Sequence, residues 1–137
     1  MPESFAKTVS RYTLALLYVA AGLNHFVRPQ LYVGIMPGYL PWPTFLVYLS
    51  GVAEIALGAM LLTRRWRVAA AWGLIALLIA VFPANVHMAV NADQYAWIPQ
   101  WVLWIRLPLQ AVLITWAWWH TKPSGRREDL MARDRGD

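Results

Sequence analysis

Cysteine is missing from all 137 residues. Its absence excludes disulfides, thiolate nucleophiles and Cys-ligated metal centres as things this chain builds alone. Charge is scarce: 14% of residues are charged, while 59% are hydrophobic. Soluble domains carry roughly 25% charged residues and about 45–50% apolar ones. The deficit points to a polytopic membrane protein. No Gly-rich phosphate loop and no internal repeat occur. Strand-like alternation of polar and apolar residues is also absent, which argues against a transmembrane barrel. A net charge of +5 indicates nucleic acid only where basic residues cluster on one exposed face. Here they gather at the ends of apolar segments, and nucleic acid is not an expected partner.

What is present is apolar length. Four segments stand out, at about residues 9–27, 45–62, 68–87 and 101–119. About 20 apolar residues span the hydrocarbon core as a helix, and helices satisfy their own backbone there. The expectation is all-α: one domain over residues 1–137, an integral membrane four-helix bundle. The first segment has a competing reading. Lys7 and Arg11 followed by LALLYVAA fit a signal peptide cleaved after Ala21.

Orientation follows the basic residues. Ten of them lie in the amino terminus, the Arg64–Arg67 loop and the tail; the other two loops hold only Arg28. The positive-inside rule then puts both termini and the Arg64–Arg67 loop in the cytoplasm, with the lipid bilayer as the first partner. Trp42, Trp97, Trp101 and Trp104 form an outer belt, and Trp66, Trp116, Trp118 and Trp119 an inner one. Residues 28–43 read as an apolar Pro/Gly-rich outer loop that lies on the membrane or caps the bundle. The charged tail, residues 123–137, reads as mobile.

Arg106 sits inside the last apolar run, WVLWIRLPLQ. An arginine at such depth costs roughly 2.5–3.5 kcal/mol on the insertion scale, so a counter-ion, a wet cavity or a ligand must make it tolerable. At about 1.5 Å of rise per residue, His25, Glu54, Asn85, His87, Arg106 and Gln110 all fall in the outer half. They are the candidate ligand-binding residues. The inner half shows no comparable set, and no catalytic residue stands out. Plainer readings accompany each. Glu54 and Arg106 pair as buried ions that fix helix register. His25 and His87 cap helix ends. Asn85 and Gln110 bridge helices. Haem ligation by the two histidines is a less favoured alternative, as is a His/His/Glu transition-metal site; no metal is assigned.

The stretches AGLNHFVRPQLYVGIMPGYLP, SGVAEIALGAMLL, VFPANVHMAV and RLPLQAVLITWAWW together resemble bacterial DoxX-like membrane proteins, within the wider DoxX/DoxD group. The resemblance covers roughly residues 11–120. It implies a four-helix protein of the cytoplasmic membrane, with the family's recurring polar positions on His25, Glu54, Asn85, Arg106 and Gln110. The family is named after subunits of an archaeal thiosulfate:quinone oxidoreductase, and some relatives act beside soluble redox enzymes. The implied function is a subunit or partner of a membrane redox system, with an outer-half pocket for a quinone-like ligand. The alternative is a non-enzymatic membrane partner, or a small-solute transport-related protein, with a structural polar cluster. Without cysteine, a self-contained thiol relay is not expected.

Overall fold

The computed structural model describes residues 3–122; the charged tail lies outside them. Five helices and no strand occur among the described residues: α1 (Phe5–Val27), α2 (Pro29–Ile35), α3 (Pro43–Leu61), α4 (Arg67–Val90) and α5 (Gln100–Trp119), with a 3-10 turn at Ala92–Tyr95 before α5. Helices α3, α4 and α5 are long and apolar enough to cross a membrane. Helix α1 is equally long at 23 residues but carries Lys7, Arg11, Asn24 and His25, and is not among those three.

Local chemistry sets the boundaries. Ser4 caps α1 by accepting a hydrogen bond from the Lys7 N–H at 3.2 Å, as N-cap serines do. Four residues earlier than the apolar run itself, α1 has begun. At its other end Arg28 breaks the helix and Pro29 starts a new one. Proline suits a first helical position because its missing N–H would have no partner there. Part of the expected outer loop is therefore helical. Trp42, between Pro41 and Pro43, has a left-handed φ of 50°. That conformation is uncommon for a residue with a Cβ, and it turns the chain into α3.

Helices α1 and α3 run antiparallel with their backbones unusually close. A Cβ on Gly22 would stand 2.7 Å from the Gly51 carbonyl oxygen, and one on Gly58 would stand 3.0 Å from the Ala15 carbonyl oxygen. Small residues at such crossings allow backbone approach that larger ones forbid. α5 packs chiefly on α4, and α3 meets α4 less extensively than it meets α1. Leu14, Ala15 and Tyr18 of α1 meet Leu61, Ala70, Ala71, Leu74 and Ala117 in the larger core cluster, at the end where α1 begins, here the proximal end. A smaller cluster of Met88, Ala89, Tyr95 and Leu103 closes the opposite, distal end. The outward faces are apolar: Leu16, Leu23, Val52, Ile79, Ile105 and Val112 are all exposed.

Candidate functional site

Between the two core clusters lies a cavity of about 560 Å³. Its walls come from every helix. α1 gives His25, and α2 gives Tyr32 and Ile35. α3 gives Val47, Ser50 and Glu54, and α4 gives Val81, Ala84, Asn85 and Met88. α5 contributes Arg106 alone.

The α1–α3 crossing builds the polar corner. A Cβ on Gly51 would stand 2.8 Å from the His25 Cβ, so glycine there lets the imidazole lie against α3. His25 Nδ1 stands 2.8 Å from the Ala21 carbonyl oxygen and 3.1 Å from Glu54 Oε2. A carbonyl only accepts, and Nδ1 carries at most one hydrogen. That hydrogen goes to Ala21, so Glu54 Oε2 is in contact with the ring but not bonded to it. Among the described residues this buried oxygen has no hydrogen-bond partner, and neither does the buried Tyr18 hydroxyl. The His25 ring stacks on Tyr32 with centroids 3.8 Å apart. Asn24 Nδ2 donates to the Tyr32 hydroxyl at 2.8 Å and fixes that ring.

Arg106 lines the cavity half-buried, and among the described residues its guanidinium forms no ion pair and no hydrogen bond. The expected Glu54–Arg106 pair does not form: the near neighbour of Glu54 is His25. The cause is helix placement. α3 lies on α1 and α5 on α4, so the cavity separates the two charges.

Asn85 and Gln110 work together. Asn85 Nδ2 donates to Gln110 Oε1 at 2.7 Å, and Gln110 Nε2 donates to the Leu78 carbonyl. Pro83 cannot donate to the carbonyl of Ile79, next to Leu78, and the glutamine amide enters α4 beside this interruption. Gln110 is buried, lies off the cavity wall and joins α4 to α5, whereas Asn85 does reach the cavity. His87 lies outside the cavity. Its Nδ1 accepts from Asn91 Nδ2 at 3.3 Å, and its ring meets Tyr39 and Tyr95 edge-on. The structure thus brings His25, Glu54, Asn85 and Arg106 to one cavity and leaves His87 and Gln110 outside it. With His25 on the cavity wall and His87 outside it, the two histidines do not jointly line a haem pocket there. No group of three His, Asp or Glu side chains suited to a metal ion occurs among the described residues.

Two features went unread in the sequence. Tyr32 belongs to the site; the Pro29 helix start that brings it back over His25 was the available signal. The proximal end, expected to lack a polar set, has one. Arg11 Nε donates to Glu3 Oε2 at 3.1 Å and Arg11 Nη1 to the Leu61 carbonyl at 2.7 Å. Arg67 Nη1 is 3.6 Å from the same Glu3 oxygen. Beside them Trp116 Nε1 donates to Ser10 Oγ at 2.7 Å, and Ser10 Oγ lies 3.1 Å from His120 Nε2. Burial alone would raise the Glu3 carboxyl. Hydrogen bonds from Arg11 and Thr8, with the charges of Arg11 and Arg67, outweigh it and hold the group below the usual carboxylate range. Burial, then the nearby Lys7 charge, pushes His120 below the usual histidine value; Glu3 opposes this, and Arg11 and Arg67 add to it.

Residues 14–121 match the family described as a domain of unknown function, DUF8561. The chain belongs to that family. No curated protein and no solved structure matches it. The matched span holds every residue of the cavity wall, whereas Glu3, Ser10 and Arg11 precede it.

Proposed function

We propose that this member of the family is a DoxX-like protein of the cytoplasmic membrane. Its α1, α3, α4 and α5 cross the bilayer as a four-helix bundle, with both termini in the cytoplasm. Its cavity binds a quinone-like ligand on behalf of a membrane redox system whose electron donor is a separate protein. The observation that carries this reading is the Arg106 guanidinium, without a partner among the described residues, on the wall of a largely apolar cavity that also holds His25, Ser50, Glu54 and Asn85. At membrane depth such a charge is costly and marks a site by default. A ligand oxygen accepting from it offsets that cost.

The rest of the cavity fits the ligand class. Its volume lies within the roughly 300–1,000 Å³ of small-molecule pockets. Arg106 donates to one ring carbonyl. Ser50 and Asn85 offer further hydrogen bonds, and the Glu54–His25 corner is placed to exchange protons at the other end. Tyr32, Met88 and Val47 enclose the ring. Burial of Tyr18, Leu14 and Arg11 in the core supports retention of α1 in the mature protein rather than its removal as a signal peptide. The Asn85–Gln110–Leu78 bridge favours a second, non-enzymatic reading for that part of the cluster, in which it only joins helices.

Two measurements test the proposal. Quinone analogues should raise the melting temperature of purified protein by mass action. A panel giving no shift in either detergent or nanodiscs moves the assignment to the non-enzymatic reading. Cysteines placed at Gly38 and Asp93 should react with impermeant reagents outside the cell, and one at Trp66 should not; the reverse pattern overturns the orientation.

A further inference from the structure

Of the residues that line the cavity, two are exposed: Leu49 on α3 and Ala80 on α4. All others are buried or half-buried. The two exposed residues lie at one height. Gly73 of α4 faces the Leu57 side chain, 2.6 Å from where its Cβ would be. Leu49 is eight residues from Leu57 and Ala80 seven from Gly73, along antiparallel helices. At about 1.5 Å per residue they therefore stand at nearly the same height on the two helices that border the α3–α4 gap.

Elsewhere the lining residues are buried or half-buried. Pro37, Met88 and Val47 are buried in the distal roof and upper wall. The proximal floor is the Leu61, Ala70, Ala71 and Leu74 cluster. His25 closes the α1 side. Along the gap itself the facing residues are small, Ala53 on α3 with Ala80 and Ala84 on α4, whereas Leu57 and Leu61 fill it lower down against Gly73 and Ala70. The opening thus faces sideways, onto the helix surfaces where Val52 and Ile79 are exposed.

We infer that the occupant of the cavity enters sideways between α3 and α4 from the hydrocarbon layer, and that it is a membrane-dissolved amphiphile with a long apolar tail. Its polar head lies at Arg106, Glu54 and His25, and its tail leaves between Leu49 and Ala80. This rests on the reading of the cavity as a ligand site in a membrane protein, and it excludes a small water-borne solute as the natural occupant.

The test compares two probes: a benzoquinone with a ten-carbon tail and the tailless dimethoxy-methylbenzoquinone. Binding is measured in nanodiscs to the full chain, to Ala80→Trp and Leu49→Trp at the opening, and to Val52→Trp on the exposed face of α3 beside it. Both opening variants should lose about tenfold or more in affinity for the tailed probe, worth about 1.4 kcal/mol, and keep the tailless probe within about twofold. Val52→Trp should match the unmodified protein for both. Equal binding of the tailed probe by all forms overturns lateral access, as does equal loss of both probes in a variant whose ligand-free melting is unchanged. If no form binds either quinone, the quinone reading falls, and the route is then read from native mass spectra of protein released from phosphatidylethanolamine–phosphatidylglycerol nanodiscs. An amphiphile retained by the unmodified chain and lost from Ala80→Trp supports the lateral route; equal retention, or none in either form, overturns it.

Discussion

His25 Nδ1 lies 3.1 Å from Glu54 Oε2, yet its single hydrogen is directed to the Ala21 carbonyl 2.8 Å away. The carboxylate is held beside the imidazole by the α1–α3 crossing and not by a bond between them. Glu54→Gln should therefore leave the fold intact and melt in detergent at the same temperature or higher, since no hydrogen bond is lost and a buried carboxylate without a partner opposes the fold. The same variant should lose most of the melting shift produced by a quinone analogue. A variant that unfolds without ligand contradicts this account.

The crossing itself is testable at its glycines. Gly22→Ala drives a Cβ to 2.7 Å from the Gly51 backbone oxygen, where nothing flexible can yield, whereas Gly73→Ala meets only the Leu57 side-chain tip at 2.6 Å, and Gly38→Ala meets nothing within 4 Å. Gly22→Ala should cost about 1–3 kcal/mol, the range for overpacking, and should displace His25. Gly73→Ala should cost less as Leu57 rotates, and Gly38→Ala should be neutral. Equal melting temperatures for the three would show that the close approach is not what holds the helices together.

The all-helical type and the places of four of the five helices were legible in the sequence, because apolar runs bounded by charge and proline leave few alternatives. Three of those runs are long and apolar enough to cross a membrane, and α1 continues through the charged Lys7 and Arg11 that mark its start. Pairing was not legible. Rise per residue puts Glu54 and Arg106 within reach of each other, but it does not say that α3 lies on α1 while α5 lies on α4. That choice depends on Gly22, Gly51 and Gly58 meeting across one face. Tyr32 was missed because a proline-rich stretch reads as loop, although Pro29 also suits a helix start. His120 and Ser10 were missed because they are 110 positions apart, a separation no local pattern bridges.

Acid should loosen the proximal end in two steps. His120 and Glu3 are both held below their ordinary values, so each binds fewer protons in the fold than in the unfolded chain. Their stabilisation is complete above the unfolded value and is lost as pH falls through the folded one. For His120 the loss begins below roughly pH 6.5, and for Glu3 below roughly pH 4.3. His120→Gln should flatten the upper part of a stability-against-pH curve and Glu3→Gln the lower part. Stability that rises on acidification across the upper range contradicts the arrangement of Lys7, Arg11 and Arg67 around the ring.

Arg106 and Gln110 lie one helical turn apart on α5 and should respond in opposite ways. Gln110 holds the Leu78 carbonyl and the Asn85 amide. Gln110→Leu leaves the buried Leu78 carbonyl and the half-buried Asn85 amide without this partner and should destabilise by about 1–3 kcal/mol, whether or not a ligand is present. Among the described residues Arg106 holds no partner, so Arg106→Leu removes a partly desolvated, uncompensated charge. The ligand-free protein should melt at the same temperature or higher, because a lone charge at membrane depth opposes the fold. Ligand-induced stabilisation should disappear in the same variant. Combining Arg106→Leu with Glu54→Gln should give the sum of the two single effects, as expected for groups without direct contact. A double variant that recovers stability lost in both single ones would instead mean that the two charges meet across the cavity, and that Arg106 belongs to the scaffold rather than to the ligand.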